Sequence, residues 1–232
     1  MTAKKQLLMT SAQRSAGLFA LPVNSGASGL VYANPSAQTV SILKELTICN
    51  PSTGDALLTL ALKGDADAFA LQNSIFRKAF VAAGQTVVIG LSSVLHYGKG
   101  LYVKVDADGA TPASLNVACS GVELLNASAK QLCMSVLGTT YASVYQTPVG
   151  KSSTLYQVLA VNGSTADATI SLQVVPSNGA LNNANLILAN VKIKPGETFM
   201  FSTSTPLPEG YSLMAKADTA NAINLVIDGT EK

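Results

Sequence analysis

Tryptophan is absent from this chain, histidine occurs once, and charged side chains supply only 12% of the residues, about half the usual share. Each shortage narrows the function. Without tryptophan, a sugar site lacks its favoured apolar platform. A lone His96 leaves no histidine-based metal set, and no Gly-x-Ser-x-Gly elbow or Cys/His signature accompanies it for nucleophilic catalysis. The 15 basic and 13 acidic residues leave a net charge of +2 with no basic block, so no concentrated face for nucleic acid is expected. The longest uninterrupted apolar run, Ala79 to Ala83, is far short of the roughly 20 residues of a spanning helix, and no membrane partner is expected. What is abundant is apolar: 48% of the chain, too much for a disordered segment and suited to a protein that covers its surface with protein neighbours.

The chain is written twice. Asn50-Pro-Ser-Thr-Gly-Asp-Ala56 lines up with Asn162-Gly-Ser-Thr-Ala-Asp-Ala168, 112 residues on. The same offset carries Ala83-Gly-Gln-Thr86 onto Pro195-Gly-Glu-Thr198, and pairs Leu95 with Leu207, Gly98 with Gly210 and Lys104 with Lys216. Val31-Tyr-Ala-Asn-Pro35 matches Val144-Tyr-Gln-Thr-Pro148, and the stretch ending Ser120-Gly-Val-Glu123 matches Asp228-Gly-Thr-Glu231. Collinear matches of this kind mark a duplication. Gly, Asn, Ser, Thr and Pro clusters separate short runs rich in Val, Leu, Ile and Thr, the pattern of an all-β chain. Leu58, Leu60 and Leu62 alternate with Thr59 and Ala61, and Ile170, Leu172 and Val174 repeat the alternation, which predicts antiparallel sheets with one buried face. The expectation is two tandem antiparallel β-sandwiches, Ig-like or jelly-roll-like, of about eight strands each, over 1–125 and 126–232. Strands are expected near 5–10, 29–33, 41–49, 56–62, 74–81, 85–91, 100–106 and 114–120 of the first. Residues 68–80 can pass for an amphipathic helix, but their partner segment around Asn182-Asn183 reads as a loop followed by a strand.

The opening Lys5-Gln-Leu-Leu-Met-Thr10 recurs as Lys130-Gln-Leu-Cys-Met-Ser135. A targeting peptide would not reappear inside the chain, so this segment is expected to be the first strand of each unit. The first copy carries an added loop around Gly17 to Asn24, and the arm from Ser11 to Ser25 is the segment expected to reach a neighbour.

Candidate chemistry is weighed against the repeat. Cys49, Cys119 and Cys133 correspond to Val161, Ile227 and Leu8, so all three are expected to be buried free thiols in a reducing compartment. His96 falls where the second copy has Pro208, an exposed loop position. Gly150-Lys151-Ser152 mimics the end of a phosphate-binding loop, but Tyr145 stands where the motif needs glycine, and a strand is expected to follow. Asp65/Asp67 and Asp106/Asp108 lack the further oxygens a calcium loop requires. Asn126 and Asn162 lie in glycosylation sequons by pattern only. Tyr32 and Tyr145 match, which points to shared packing. No catalytic, cofactor-binding or metal-binding residue is assigned, and no cofactor is expected.

Taken together, the Lys-Gln-Leu start, the Val-Tyr-x-x-Pro step, the Ala/Pro-Gly-Gln/Glu-Thr turn, the Leu-x-x-Gly step and the closing Ser-Gly-Val-Glu resemble small structural proteins of tailed bacteriophages. Those are typically single β-sandwiches about one repeat long. The resemblance implies a non-enzymatic virion component (capsid decoration, collar or tail), made in the host cytoplasm. Its partners would be other virion proteins and copies of itself. The duplication adds a geometric expectation, that three two-domain chains could present six similar sandwiches to a three-fold capsid site or a six-fold tail. The alternative is a host-receptor or carbohydrate-binding module of a tail fibre or adhesin, which should show loops differing between the repeats at one end of a sandwich. An enzyme would need His96 or the Asp106/Asp108 pair.

Overall fold

The computed structural model describes residues 3–8, 20–21, 27–34, 37, 39–125 and 128–232. In the first unit the strands are β1 (Ala3–Leu8), β2 (Ala20–Leu21), β3 (Ala27–Ala33), β4 (Thr39–Cys49), β5 (Ala56–Lys63), β6 (Ser74–Val81), β7 (Thr86–Leu95), β8 (Gly100–Ala107) and β9 (Leu115–Leu125). In the second they are β10 (Ala129–Val136), β11 (Ala142–Gln146), β12 (Ser153–Asn162), β13 (Ala168–Val175), β14 (Leu186–Ile193), β15 (Thr198–Leu207), β16 (Ser212–Ala217) and β17 (Ile223–Glu231). The segment that could pass for a helix contributes one 3-10 turn, Leu71–Asn73, before β6. Most of the arm from Ser11 to Ser25 lies outside the described residues. Within it Ala20–Leu21 pairs with Leu115–Asn116 of β9, a strand the periodicity does not announce.

The first unit stacks a sheet ordered β1-β9-β4-β7, with β2 also on β9, against one ordered β3-β8-β5-β6. The second repeats this as β10-β17-β12-β15 and β11-β16-β13-β14. Leaving β2 aside, the first, third, sixth and eighth strands of either unit share one sheet and the remaining four share the other. That crossing from sheet to sheet is the jelly roll, not the immunoglobulin arrangement, in which strands A and B lie side by side. Two tandem antiparallel β-sandwiches is therefore the fold.

The chain divides into Met1–Ala70 with Phe76–Ala127, and Leu71–Ile75 with Ser128–Lys232. The piece Leu71–Ile75 belongs with the second unit, where Asn224 Nδ2 donates to the Ser74 carbonyl (2.9 Å) and Thr198 Oγ1 to that of Ile75 (3.0 Å). Sequence division at 125 puts it in the first. The bonds use backbone carbonyls, which every residue carries, so no residue type betrays them.

Leu155, Val158 and Ala160 of β12 and Leu225 and Ile227 of β17 meet Ile170 and Leu172 of β13 and Leu213 and Ala215 of β16 in the second core. The alternation correctly gives side-chain direction, but the opposite positions are not solvated. Thr59, Ala61, Ser171 and Gln173 are buried as well. Thr59 and Ser171 hydroxyls accept the amides of Lys78 and Asn190, matching residues held at φ 52° and 47°. A hydroxyl on that face is thus satisfied by a kinked neighbour strand rather than by water. The thiols also differ from expectation: Cys119 and Cys133 are buried, but Cys49 is only half-buried, because it points to the face of β4 opposite Ile48. Burial pushes the Cys119 and Cys133 thiols up to about 12.

The two units match at the level of irregularities. Each carries a bulge in its third full strand, between Leu43 and Glu45 and between Leu155 and Gln157. Each carries another just before the matched tyrosine, between Leu30 and Tyr32 and between Ser143 and Tyr145.

Candidate functional site

Most of the repeated motifs prove to be devices that close the sandwich. The second bulge re-aims a tyrosine from one sheet toward the other. Tyr32 then bonds Ser41 (2.8 Å) and donates to Glu123 (2.6 Å), and Tyr145 bonds Ser153 (2.6 Å) and donates to Glu231 (2.8 Å). In the second unit Lys130 completes the clasp at 2.8 Å from Glu231. Lys130 and the Tyr145 phenol hold the Glu231 carboxyl below its usual range. The Asn50 and Asn162 side chains are fully buried. Asn50 Nδ2 donates to Gly54 and Val81 carbonyls, and Asn162 Nδ2 to those of Ala166 and Ile193. The Asn162 sequon is thus a turn anchor with its amide committed; Asn126 lies outside the described residues. Gly84 and Gly196 occupy positive φ in matching turns, capped by Gln85 and Glu197 side chains that accept from Ala82 and Lys194 amides. Gly150-Lys151 is the end of a turn, with the Lys151 amide bonded to Pro148 and β12 following.

The units part company at the turn before their seventh full strand. Its backbone is the same in both: Lys99 donates to the His96 carbonyl and Tyr211 to that of Pro208, each at 3.1 Å, with Gly98 and Gly210 near φ 79° and 76°. The side chains are not. Tyr97, Lys99 and Tyr102 stand where the second unit has Glu209, Tyr211 and Met214, and Lys63 and Asp65 where it has Val175 and Ser177. In the first unit this turn, the end of β3 and the loop after β5 enclose an open cleft of about 410 Å³ lined by Asn34, Asp65, Tyr97, Lys99 and Tyr102 among others.

Its floor is fixed from below. Lys63 is 4% exposed, and its ammonium sits 3.8 Å from the centre of the Tyr102 ring and 5.3 Å from that of Phe69, a cation–π stack in a poorly hydrated place. The same nitrogen donates to the Gly64 and Asp65 carbonyls, at 3.1 and 3.3 Å, which sets the loop. Tyr102 donates to Asp65 Oδ1 at 3.0 Å; burial, then that carboxylate, push the phenol pKa up and keep its proton on. Asp67 accepts from the Gly64 amide (2.8 Å) and from Lys99 (3.3 Å), and these hold its carboxyl below the usual range. Gly100 is required because a Cβ there would lie 2.8 Å from Leu30 Cδ1 and 2.9 Å from the Tyr32 carbonyl oxygen. Above this floor Tyr97 is 63% exposed at the turn tip.

The arrangement offers recognition groups: an exposed aromatic face, a carboxylate acceptor and an ammonium donor. His96 is a half-buried loop residue rather than an exposed one, and it does not line the cleft. Asp106 pairs with Lys104 at 3.2 Å. Among the described residues no three His, Cys, Asp or Glu side chains gather as a metal site, and no helix is long and apolar enough to cross a membrane. Sequence reasoning placed Asp65 in a turn but passed over Tyr97 and Lys99. The usable signal was their mismatch with Glu209 and Tyr211 inside an otherwise matching turn.

No protein-family model matches the chain, and no curated protein matches it. Among solved structures, it is similar to the CBM22-1–CBM22-2 tandem domain of Paenibacillus barcinonensis Xyn10C (12% identity, 99% of this chain and 90% of that one, TM-score 0.31). It is also similar to a fucolectin from striped bass serum (11%, 99% and 96%, 0.29) and to allantoicase from Saccharomyces cerevisiae (8%, 97% and 90%, 0.24). At TM-scores below 0.5 these likenesses carry no inference for this chain.

Proposed function

We propose that this chain is a structural protein of a bacteriophage virion, without enzymatic activity, that works by binding copies of itself and neighbouring capsid or tail proteins. The observation that carries the reading is a matched pair of sheet edges. β7 and β15 each end their sheet, and neither contains a charged residue. Each also shows a large apolar side chain at the same place, Val88 at 60% and Met200 at 42% exposure. Sheet edges are normally protected by charge because their free backbone groups invite another strand. Two uncharged edges, 112 residues apart in a duplicated unit, suit pairing with a neighbouring chain. The sequence resemblance to phage structural proteins supports the same reading. The test is to band particles from an infected lysate on a density gradient and detect the chain by mass spectrometry. Co-banding at a fixed ratio to the major capsid or tail protein is expected; a chain left wholly in the soluble fraction would exclude a virion role.

A second reading, a host-receptor or carbohydrate-binding module, is favoured by one observation. The loops at one end of the first sandwich differ from those of the second and enclose a cleft with an exposed tyrosine.

A further inference from the structure

We infer that the Tyr97 cleft of the first unit is a saccharide site, taking one neutral sugar end per chain; this rests on the binding-module reading. A sugar ring presents an apolar C–H face and a rim of hydroxyls that both donate and accept. Tyr97 supplies a flat exposed partner for the first. For the rim, Asp65 supplies an acceptor and Lys99 a donor, both lining the same cleft. Asp65 is held before any ligand arrives by the Tyr102 phenol, so little ordering of that acceptor is left for binding to offset, while Lys99 stands beside Asp67 on the exposed rim. The cleft volume, about 410 Å³, falls in the range of small-ligand sites.

Charge selects the ligand class. Two carboxylates, Asp65 and Asp67, stand beside one ammonium at the rim, and the Lys63 ammonium is turned under the Tyr102 ring. Asp65 and Asp67 are balanced by Lys99 and Lys63, so the rim has no surplus positive charge to draw in an anionic sugar or a phosphate, whereas hydroxyls find both kinds of partner. The second unit has Glu209, Ser177 and Met214 at the corresponding places, which removes the platform and the carboxylate together. One site per chain follows.

The test is calorimetric titration of the full chain with glucose, galactose, mannose, N-acetylglucosamine, lactose and maltose, with sialyllactose as the anionic probe. A neutral sugar is expected to bind at one per chain. Tyr97→Ala and the isosteric Asp65→Asn should each weaken it about tenfold, the worth of one stacking or charge-assisted contact. Glu209→Ala in the second unit should leave it unchanged. Binding that survives both first-unit substitutions would overturn this site while leaving the binding-module reading intact. Preference for sialyllactose would overturn the neutral class. No binding of any probe at millimolar concentration would overturn site and reading together.

Discussion

Gly229 faces the bulge of β12, and a methyl group there would overlap the Thr154 carbonyl oxygen and press on Leu132 Cδ1. The glycine of the closing Gly-x-Glu motif is therefore a matter of space. Gly229→Ala should lower stability by about 1–3 kcal/mol, the cost of overpacking, read as a shifted urea midpoint. Gly138→Ala, where a Cβ meets nothing within 4 Å, should stay within about 0.5 kcal/mol. Equal losses in the two would refute the steric account. The glutamate two residues beyond is a separate device with a pH signature. Lys130, and then the Tyr145 phenol, hold its carboxyl below the ordinary glutamate value of 4.5. It therefore contributes its full stability above that value, and the contribution is lost as pH falls through the lower folded pKa. Lys130→Met should flatten the decline in melting temperature below about pH 4.5; an unchanged acid limb would remove Lys130 from the clasp. Sequence reading named Tyr145 and Glu231 as repeated positions, yet nothing in their spacing showed that they touch. Eighty-six residues separate them, and only the bulge at Val144 turns the ring across.

Among the elements, strands were the most legible part of this chain. Alternating leucines in β5 and the turn clusters at Asn50 and Asn162 placed edges within a few residues, because turn chemistry is local. What escaped was β2, two residues long, and the burial of both faces of β5 and β13. Periodicity reports which way a side chain points, whereas burial depends on what lies opposite. The edges β7 and β15 carry the element-scale prediction. Val88→Lys and Met200→Lys place a charge on an edge that now lacks one, the usual means of blocking strand addition. In phage carrying either substitution, fewer copies per particle are expected by quantitative mass spectrometry, with the melting temperature of the isolated protein unchanged. Wild-type incorporation of the doubly substituted chain would assign assembly to another surface.

For the molecule as a whole, duplication sets the symmetry question. Closed rings are the rule for homo-oligomers, and under the virion role proposed above three such chains would present six similar jelly rolls to a three-fold capsid site or a six-fold tail. A particle map is expected to show both units in matching environments, and unrelated environments would end this account. The duplication was fully legible in the sequence, since it depends only on residue identity at a fixed offset. The cleft was not, because it is defined by residues that break the repeat, and a mismatch stands out only after the matching turn around it has been seen in three dimensions. The repeated bulges also date the parts of this protein. The bulge shared by β4 and β12 with its facing glycine, and the bulge shared by β3 and β11 with its tyrosine clasp, belong to both copies and so to the unit that was copied. The Tyr97 turn is carried by one copy only, so an unduplicated relative should keep the clasp whichever of the two turns it has.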